Sequence, residues 1–243
     1  MKITLVLPTF NEAENLPRLI PVLFDLDLPD LHLLIVDDLS PDGTGRIAED
    51  LAKEYSGRIE VLHRAGPRGL GRAYVFGFEH ALKGDAEAIG QMDCDFSHPP
   101  EKLPALIAKL ESCDLALGSR YIPGGGVDAR WPLWRKALSR WANFYARSIL
   151  GLPINDVTGG FRLWRRETLE RIPYKQVISN GYVFLVELLY LAHLSGCRFG
   201  EVPIYFADRK WGSSKMNFRV QLEAAWRVWQ VKLRYQRLAD SFE

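Results

Sequence analysis

The chain turns on the stretch Ala88-Ile89-Gly90-Gln91-Met92-Asp93-Cys94-Asp95-Phe96-Ser97-His98-Pro99-Pro100. A short apolar run ends at two carboxylates one residue apart, and a proline pair then turns the chain into a new helix. Residues i and i+2 of a strand point to the same side, so Asp93 and Asp95 project together beyond a strand end. Two hard oxygen ligands on one rim suit Mg2+ or Mn2+, which often take one or two protein carboxylates and complete their shell with substrate phosphates. Standing alone, such a pair reads more readily as a solvated loop. The rest of the chain decides.

Toward the N-terminus, strand and helix alternate. Ile3 to Leu7 reads as a strand, followed by Pro8-Thr9-Phe10-Asn11-Glu12 and a helix from about Ala13 to Phe24. Leu31 to Val36 is the second strand, closed by Asp37-Asp38, with a helix from Pro41-Asp42-Gly43-Thr44 to about Tyr55. Arg58 to Leu62 is the third, Gly69-Leu70-Gly71 opens another helix, and Ala86 to Met92 is the fourth strand. Strands separated by helices imply βαβ units, hence one mixed, mainly parallel α/β sheet flanked by helices. Ligands of such sheets lie beyond the carboxyl ends of the strands. The clusters Thr9/Asn11/Glu12, Asp37/Asp38 and Asp93/Asp95 all fall there, which lifts Asp93 and Asp95 above the solvated-loop reading.

Each cluster has a plainer alternative. Ser40 or Asp42 can cap a helix and Pro41 suits its first turn. Adjacent Asp37 and Asp38 repel at a buried strand end unless something cationic or hydrogen-bonding is bound. Arg64-Ala65-Gly66-Pro67-Arg68-Gly69-Leu70-Gly71-Arg72 looks like a phosphate loop, yet lacks both the Walker lysine pattern and G-x-G-x-x-G. Alone it implies a helix N-terminus facing the cleft, with three arginines near an anion.

Composition narrows the class. At 243 residues, 47% hydrophobic and 25% charged, the chain can bury a large core. A net charge of +1 gives no reason to expect nucleic acid as a partner. Cys94, Cys113 and Cys197 form no CxxC or Cys/His spacing and read as free thiols of a reducing compartment. The N-terminus reads as a strand start rather than a signal peptide. The most apolar run, Val183 to Leu194, is interrupted by Glu187 and falls short of the roughly 18 residues of a spanning helix.

Beyond these patterns, several motifs are familiar. Asp37-Asp38-Leu39-Ser40-Pro41-Asp42-Gly43-Thr44, Gly69-Leu70-Gly71, Met92-Asp93-Cys94-Asp95-Phe96-Ser97-His98-Pro99 and Gly118-Ser119-Arg120-Tyr121 resemble the inverting family-2 glycosyltransferases, of GT-A fold. With Asp156-Val157-Thr158-Gly159-Gly160-Phe161-Arg162 and Gly212-Ser213-Ser214-Lys215, the chain is similar to the dolichyl/polyprenyl-phosphate mannosyltransferases among them. The resemblance runs from Leu7 to about Lys215. It implies a nucleotide-sugar donor, usually GDP-mannose, a divalent metal, and a lipid-phosphate acceptor at the cytosolic membrane face. By it, Asp95 is the principal metal ligand and Asp93 contacts metal or sugar. Ser97, where some relatives carry an amide, is the third candidate ligand. Asp38 and Asp42 fall to the nucleoside side, Pro8, Phe10 and Glu12 line the base pocket, Gly69 opens the neighbouring loop, and Asp156 belongs to the sugar or acceptor site. Some members carry added transmembrane helices, which this chain lacks.

The chemistry follows from the bonds involved. Transfer from a sugar nucleotide leaves charge on a diphosphate, which a bridging metal neutralises. A phosphate monoester acceptor is already ionised near neutral pH, with its second pKa at about 6, and needs cations to hold it in line rather than a strong base. Arg120, Arg135, Arg209 and Lys215 are the candidate cations, and arginine forks suit phosphate. Trp131 to Leu150 and Phe218 to Leu238 interleave aromatic and basic residues at helical spacing, the pattern of interfacial membrane helices or of stripes packed on a core or subunit.

The expected organisation is a catalytic domain over 1–210 and a C-terminal amphipathic extension over 211–243. The expected activity is inverting transfer of a hexose, mannose from GDP-mannose, to a polyprenyl phosphate, by a peripheral protein at the cytosolic membrane face. A membrane-anchored partner subunit is a further expectation. The alternatives are a UDP-glucose or UDP-N-acetylhexosamine donor, a glycan acceptor, or a non-catalytic regulatory subunit.

Overall fold

Alternation along the first strand, β1 (Ile3–Thr9), sends Ile3, Leu5 and Leu7 into one apolar cluster and Val6 into another. The second strand, β2 (Leu31–Asp37), repeats the division, with Leu31, Leu33 and Ile35 on the first side and Leu34 and Val36 on the second. A sheet apolar on both faces needs helices on both. The computed structural model describes residues 1–179, 181–208 and 218–239, and of 218–224 and 237–239 the backbone alone.

Beneath one face lie α1 (Leu16–Phe24), α2 (Thr44–Glu54) and α4 (Leu103–Leu110). Over the other lie α3 (Leu70–Ala81), α5 (Leu133–Leu150), α6 (Arg166–Arg171) and α7 (Tyr182–Leu194). The last helix, α8 (Phe218–Ala239), adds Val228, Val231 and Tyr235 to that same core. The apolar run expected not to span a membrane is α7, which is buried on nearly every side between its neighbours. No helix among the described residues is long and apolar enough to cross a membrane.

The remaining strands are β3 (Ile59–His63), β4 (Ala88–Gln91), β5 (Leu115–Ser119), β7 (Arg162–Arg165) and β8 (Phe199–Pro203). Their order, β3-β2-β1-β4-β7-β5-β8, is parallel except at β7, which runs antiparallel to both neighbours. A short parallel pair, β6 (Gly126–Val127) and β9 (Tyr205–Phe206), stands apart. The sheet is therefore mixed and mainly parallel, as the motif spacing implied.

Chain order reverses between β1 and β4, the switch point where doubly wound sheets open a crevice. Here β1 pairs with β2 as far as Thr9↔Asp37, but with β4 only to Val6↔Gln91. Pro8, which has no N–H to give, sits in the stretch that has outrun β4. The two chains part just before Asp93.

Gly125 shows how closely the end of β5 is covered. A Cβ there would lie 2.5 Å from the Ser119 carbonyl oxygen and 3.0 Å from the Arg120 carbonyl carbon, both backbone atoms. Gly125→Ala should therefore cost about 1–3 kcal/mol of stability. Urea unfolding measures it, and an unchanged midpoint would mean that the Gly124–Gly126 turn yields freely.

Candidate active site

Three loops meet at the crevice, following β1, β2 and β4. Each contains one non-glycine residue in the left-handed region: Asn11 at φ 62°, Leu39 at φ 52° and Phe96 at φ 61°. Asparagine tolerates this conformation, whereas leucine and phenylalanine do so at a cost of order 1 kcal/mol or more each. The loops are also tied to one another. The Asn11 N–H donates to Ser40 Oγ, Glu12 N–H to Thr44 Oγ1, and Ala13 N–H to Asp42 Oδ2. Asp42 Oδ1 accepts from the Thr44 amide and hydroxyl, so this residue shapes the turn into α2.

The adjacent Asp37 and Asp38 are both buried, and their repulsion is resolved by different partners. Asp37 accepts from the Thr9 hydroxyl and from the hydroxyl and amide of Ser40. Asp38 accepts from Arg64 Nε at 2.5 Å and from Gly69 N at 3.0 Å. Arg68 donates to the carbonyls of Asp38 and Leu39 and lies 4.3 Å over the Phe10 ring. Of the three arginines in this loop, Arg64 thus meets an anion of the protein's own, Asp38, and the loop latches the β2 end to α3.

Asp93 and Asp95 lie beyond β4 as expected from their spacing. Asp95 is buried, and its Oδ1 accepts from the amide (3.0 Å) and hydroxyl (2.5 Å) of Ser97. Ser97, expected as a third ligand, therefore orients Asp95. Asp93 is about 30% exposed. Its Oδ1 faces the Tyr74 hydroxyl at 3.3 Å, and its amide donates to His98 Nδ1 at 3.0 Å. Burial pushes the His98 imidazole below its ordinary pKa, against the pull of Asp93 and Asp95, which keeps it neutral and able to accept. Between the two carboxylates, burial holds the Cys94 thiol protonated.

Across the crevice, Arg120 and Asp156 form a buried bidentate pair, with Nε and Nη2 each 2.7 Å from a carboxylate oxygen. Arg120 also donates through its amide to Asp156 and through Nη2 to Thr158 Oγ1. Burial raises the Asp156 carboxyl, but the Arg120 guanidinium overrides it and leaves the group below the usual carboxylate range. Asn143 of α5 accepts from the amides of Val157 and Thr158, and Glu201 from those of Asn155 and Asp156. Beneath this loop the fully buried Arg162 donates to the carbonyls of Val157, Gly159 and Leu185. Burial pulls its pKa down to about 9, so it is still charged at neutral pH.

The structure thus gathers Pro8, Phe10, Glu12, Asp38, Asp42, Gly69, Asp93, Asp95 and Ser97 on the β1/β2/β4 loops and sets Arg120 and Asp156 beyond β5. Arg135 stands on α5, stacked 3.7 Å over Trp131 and paired with Asp208 at 3.3 Å. Arg209 and Lys215 lie outside the described residues. Trp131 is buried, so the aromatic stripe of α5 divides: Leu133, Trp134, Trp141 and Phe144 are the exposed part. Sequence reasoning assigned no role to Tyr74, His98, Asn143 or Arg162. Only His98 carried a signal, its place in the turn after Asp95.

The donor set suits a hard divalent cation: two carboxylates on one rim, one of them accepting from a serine hydroxyl. Among the described residues no cluster of three or more such ligands occurs, so a cation here would need oxygens from the substrate.

Solved structures share this architecture. Glucosyl-3-phosphoglycerate synthase from Mycobacterium tuberculosis, solved with Mn2+, UDP and phosphoglyceric acid, superposes with a TM-score of 0.65 at 18% identity, over 96% of this chain and 78% of that one. The likeness shows a shared fold, of the GT-A type. Residues 4–173 match Glycosyl transferase family 2, and the chain belongs to that family. Polyprenol monophosphomannose synthase of Mycolicibacterium smegmatis is 43% identical over 235 residues, 96% of this chain and 88% of that protein. Undecaprenyl-phosphate mannosyltransferase of Micrococcus luteus is 40% identical over 240 residues, 98% of each.

The buried pair has a pH signature. A carboxyl held below its unfolded pKa contributes stability that is complete above about pH 4 and lost as pH falls through the lower folded value. The stability gap between the parent protein and Asp156→Asn should accordingly be constant from pH 7 to about 5 and shrink below about 4. Urea midpoints across that range test it. A gap that widened in acid would contradict the pairing.

Proposed function

We propose that the protein transfers mannose from GDP-mannose to a polyprenyl phosphate, with inversion at the anomeric carbon, at a membrane surface. The observation that carries this reading is the pair of carboxylates, Asp93 and Asp95, on the rim where the three strand-end loops converge. Family membership and the two mannosyl-transferring relatives support it. In this reading Asp95 and Asp93 hold a divalent ion, Mn2+ or Mg2+, which when bound neutralises the charge growing on the leaving diphosphate. Phe10, flanked by Arg68 and next to Pro8 and Glu12, offers a wall on which a base can stack. Asp38 and Asp42 serve the nucleoside by fixing the loops around it.

On the acceptor side, Asp156 is the carboxylate at hand, and Arg120 keeps it a weak base. A sugar hydroxyl would require a base there. A phosphate monoester, already ionised, does not. This favours a lipid phosphate over a glycan acceptor. Because Asp156 neutralises Arg120, the counter-charge for that phosphate falls on Arg135, Arg209 and Lys215. The partly exposed Arg135–Asp208 pair is of a kind worth little, and Arg135 can exchange Asp208 for phosphate at small cost.

Asp95→Asn should lower mannosyl transfer, assayed with GDP-mannose and a polyprenyl phosphate in detergent, by about 10²–10³-fold without shifting the thermal midpoint. Full activity in that variant at saturating Mn2+ would remove Asp95 from the chemistry.

Exposed Leu133, Trp134, Trp141 and Phe144 on α5, with Trp226, Trp229 and Leu233 on α8, form the surface offered to lipid. Interfacial binding of this kind is stronger on anionic vesicles and weakened by salt. The triple variant Trp134→Ser, Trp141→Ser, Phe144→Ser should release the protein from anionic vesicles and leave GDP affinity intact. If the parent protein stays in the supernatant with anionic vesicles at low salt, this surface serves a partner subunit instead.

A further inference from the structure

Asp93 is the more exposed of the two rim carboxylates, and an exposed aspartate ordinarily samples several rotamers. Two buried side chains surround it. Tyr74 reaches it from the first turns of α3, with its ring fully buried and stacked on Phe184 (5.9 Å, 4° between planes) and on Phe78 (5.9 Å, 27°). Those contacts fix the phenol, and its hydroxyl lies 3.3 Å from Asp93 Oδ1. From the opposite side comes His98, 1% exposed, stacked on Phe161 at 5.4 Å and edge-on to Phe206 at 5.8 Å. A Cβ on Gly160 would sit 3.2 Å from its Cε1, so the ring fills its slot.

The hydrogen bonds set the proton positions. His98 Nδ1 accepts the Asp93 amide, so the ring's single proton is on Nε2. That nitrogen lies 4.0 Å from Asp93 Oδ2, too far for a hydrogen bond. One carboxylate oxygen thus faces a phenol proton, while the backbone beneath is pinned by the buried imidazole.

We propose that Tyr74 and His98 are positioning residues for the transfer, forming a buried bracket that holds the Asp93 carboxylate in the direction from which it meets the bound diphosphate sugar. The inference rests on the reading of Asp93 as part of the transfer site. It makes the aromatic stack of α3 on α7 part of the active-site geometry. Without the bracket the carboxylate is held less firmly at each turnover, which lowers kcat and weakens metal capture while leaving the base pocket untouched.

The test uses the full-length chain with Tyr74→Phe, His98→Ala, His98→Asn and Asp93→Asn. Readouts are kcat and KM for GDP-mannose, Mn2+ affinity in the presence of GDP by calorimetry, and the thermal midpoint. Tyr74→Phe keeps the ring stack and loses a hydrogen bond to a charged group, so kcat should fall about tenfold, Mn2+ should bind several-fold more weakly, and KM and melting should hardly move. His98→Ala should do the same, and His98→Asn, whose amide oxygen can accept the Asp93 N–H, should recover most of the loss. An inactive Asp93→Asn beside parental kcat and Mn2+ affinity in Tyr74→Phe and His98→Ala overturns the bracket alone. A fully active Asp93→Asn overturns the reading of the rim and the bracket with it. Should His98→Ala not fold, Tyr74→Phe decides.

Discussion

Buried carboxylates at a single sheet edge are the constraint around which this protein is built. Asp37, Asp38, Asp95 and Asp156 are all at most 5% exposed. Desolvating an ionised carboxylate costs several kcal/mol unless charge or hydrogen bonds replace the lost water. The four solutions differ. Asp37 takes the hydroxyl and amide of Ser40 in its own loop and the Thr9 hydroxyl of β1, and Asp38 takes a guanidinium and a helix-start amide. Asp95 takes a serine two residues on, and Asp156 takes an arginine from the next strand end. Each solution recruits an element that would otherwise drift. Arg64 fastens the loop before α3, and Arg120 fastens the loop after α5.

The pairing also sorts the charges by availability. Arg64 and Arg120 cancel Asp38 and Asp156 locally, while Asp37 and Asp95 accept from hydroxyls and amides. Asp95 and the partly exposed Asp93 stand at the mouth of the crevice. Arg162 adds a fixed positive charge below the floor and turns three carbonyls inward toward it.

Much of this arrangement was legible. Period-two alternation in Ile3–Leu7 and Leu31–Val36, and the turn chemistry between them, sufficed for the βαβ half and for the rim, because those signals are local. β7 was invisible: Arg162-Leu163-Trp164-Arg165 shows no outward-polar pattern, since Arg162 is wholly buried and spends its donors on backbone carbonyls of the preceding loop and of α7. The Arg64–Arg72 loop announced an anion but not that the anion was Asp38, 26 residues earlier. Tyr74 reads as one more apolar position on a helix, and only the fold reveals what its hydroxyl faces. Trp131 shares the spacing of Trp134 and Trp141, yet it precedes the helix and turns inward beneath Arg135 and Phe206.

The left-handed residues of the three loops have a consequence for how such a protein can change. Leu39 and Phe96 occupy conformations in which glycine would be more comfortable, so the native chain sits above the lowest free energy its fold allows. Selection for heat tolerance would press on these two positions, and relief there would relax the loops that align nucleotide and rim. Resilience and turnover draw on the same few backbone angles, so a lineage moving to hotter surroundings has to find its added stability elsewhere, in the helices and the far edge of the sheet.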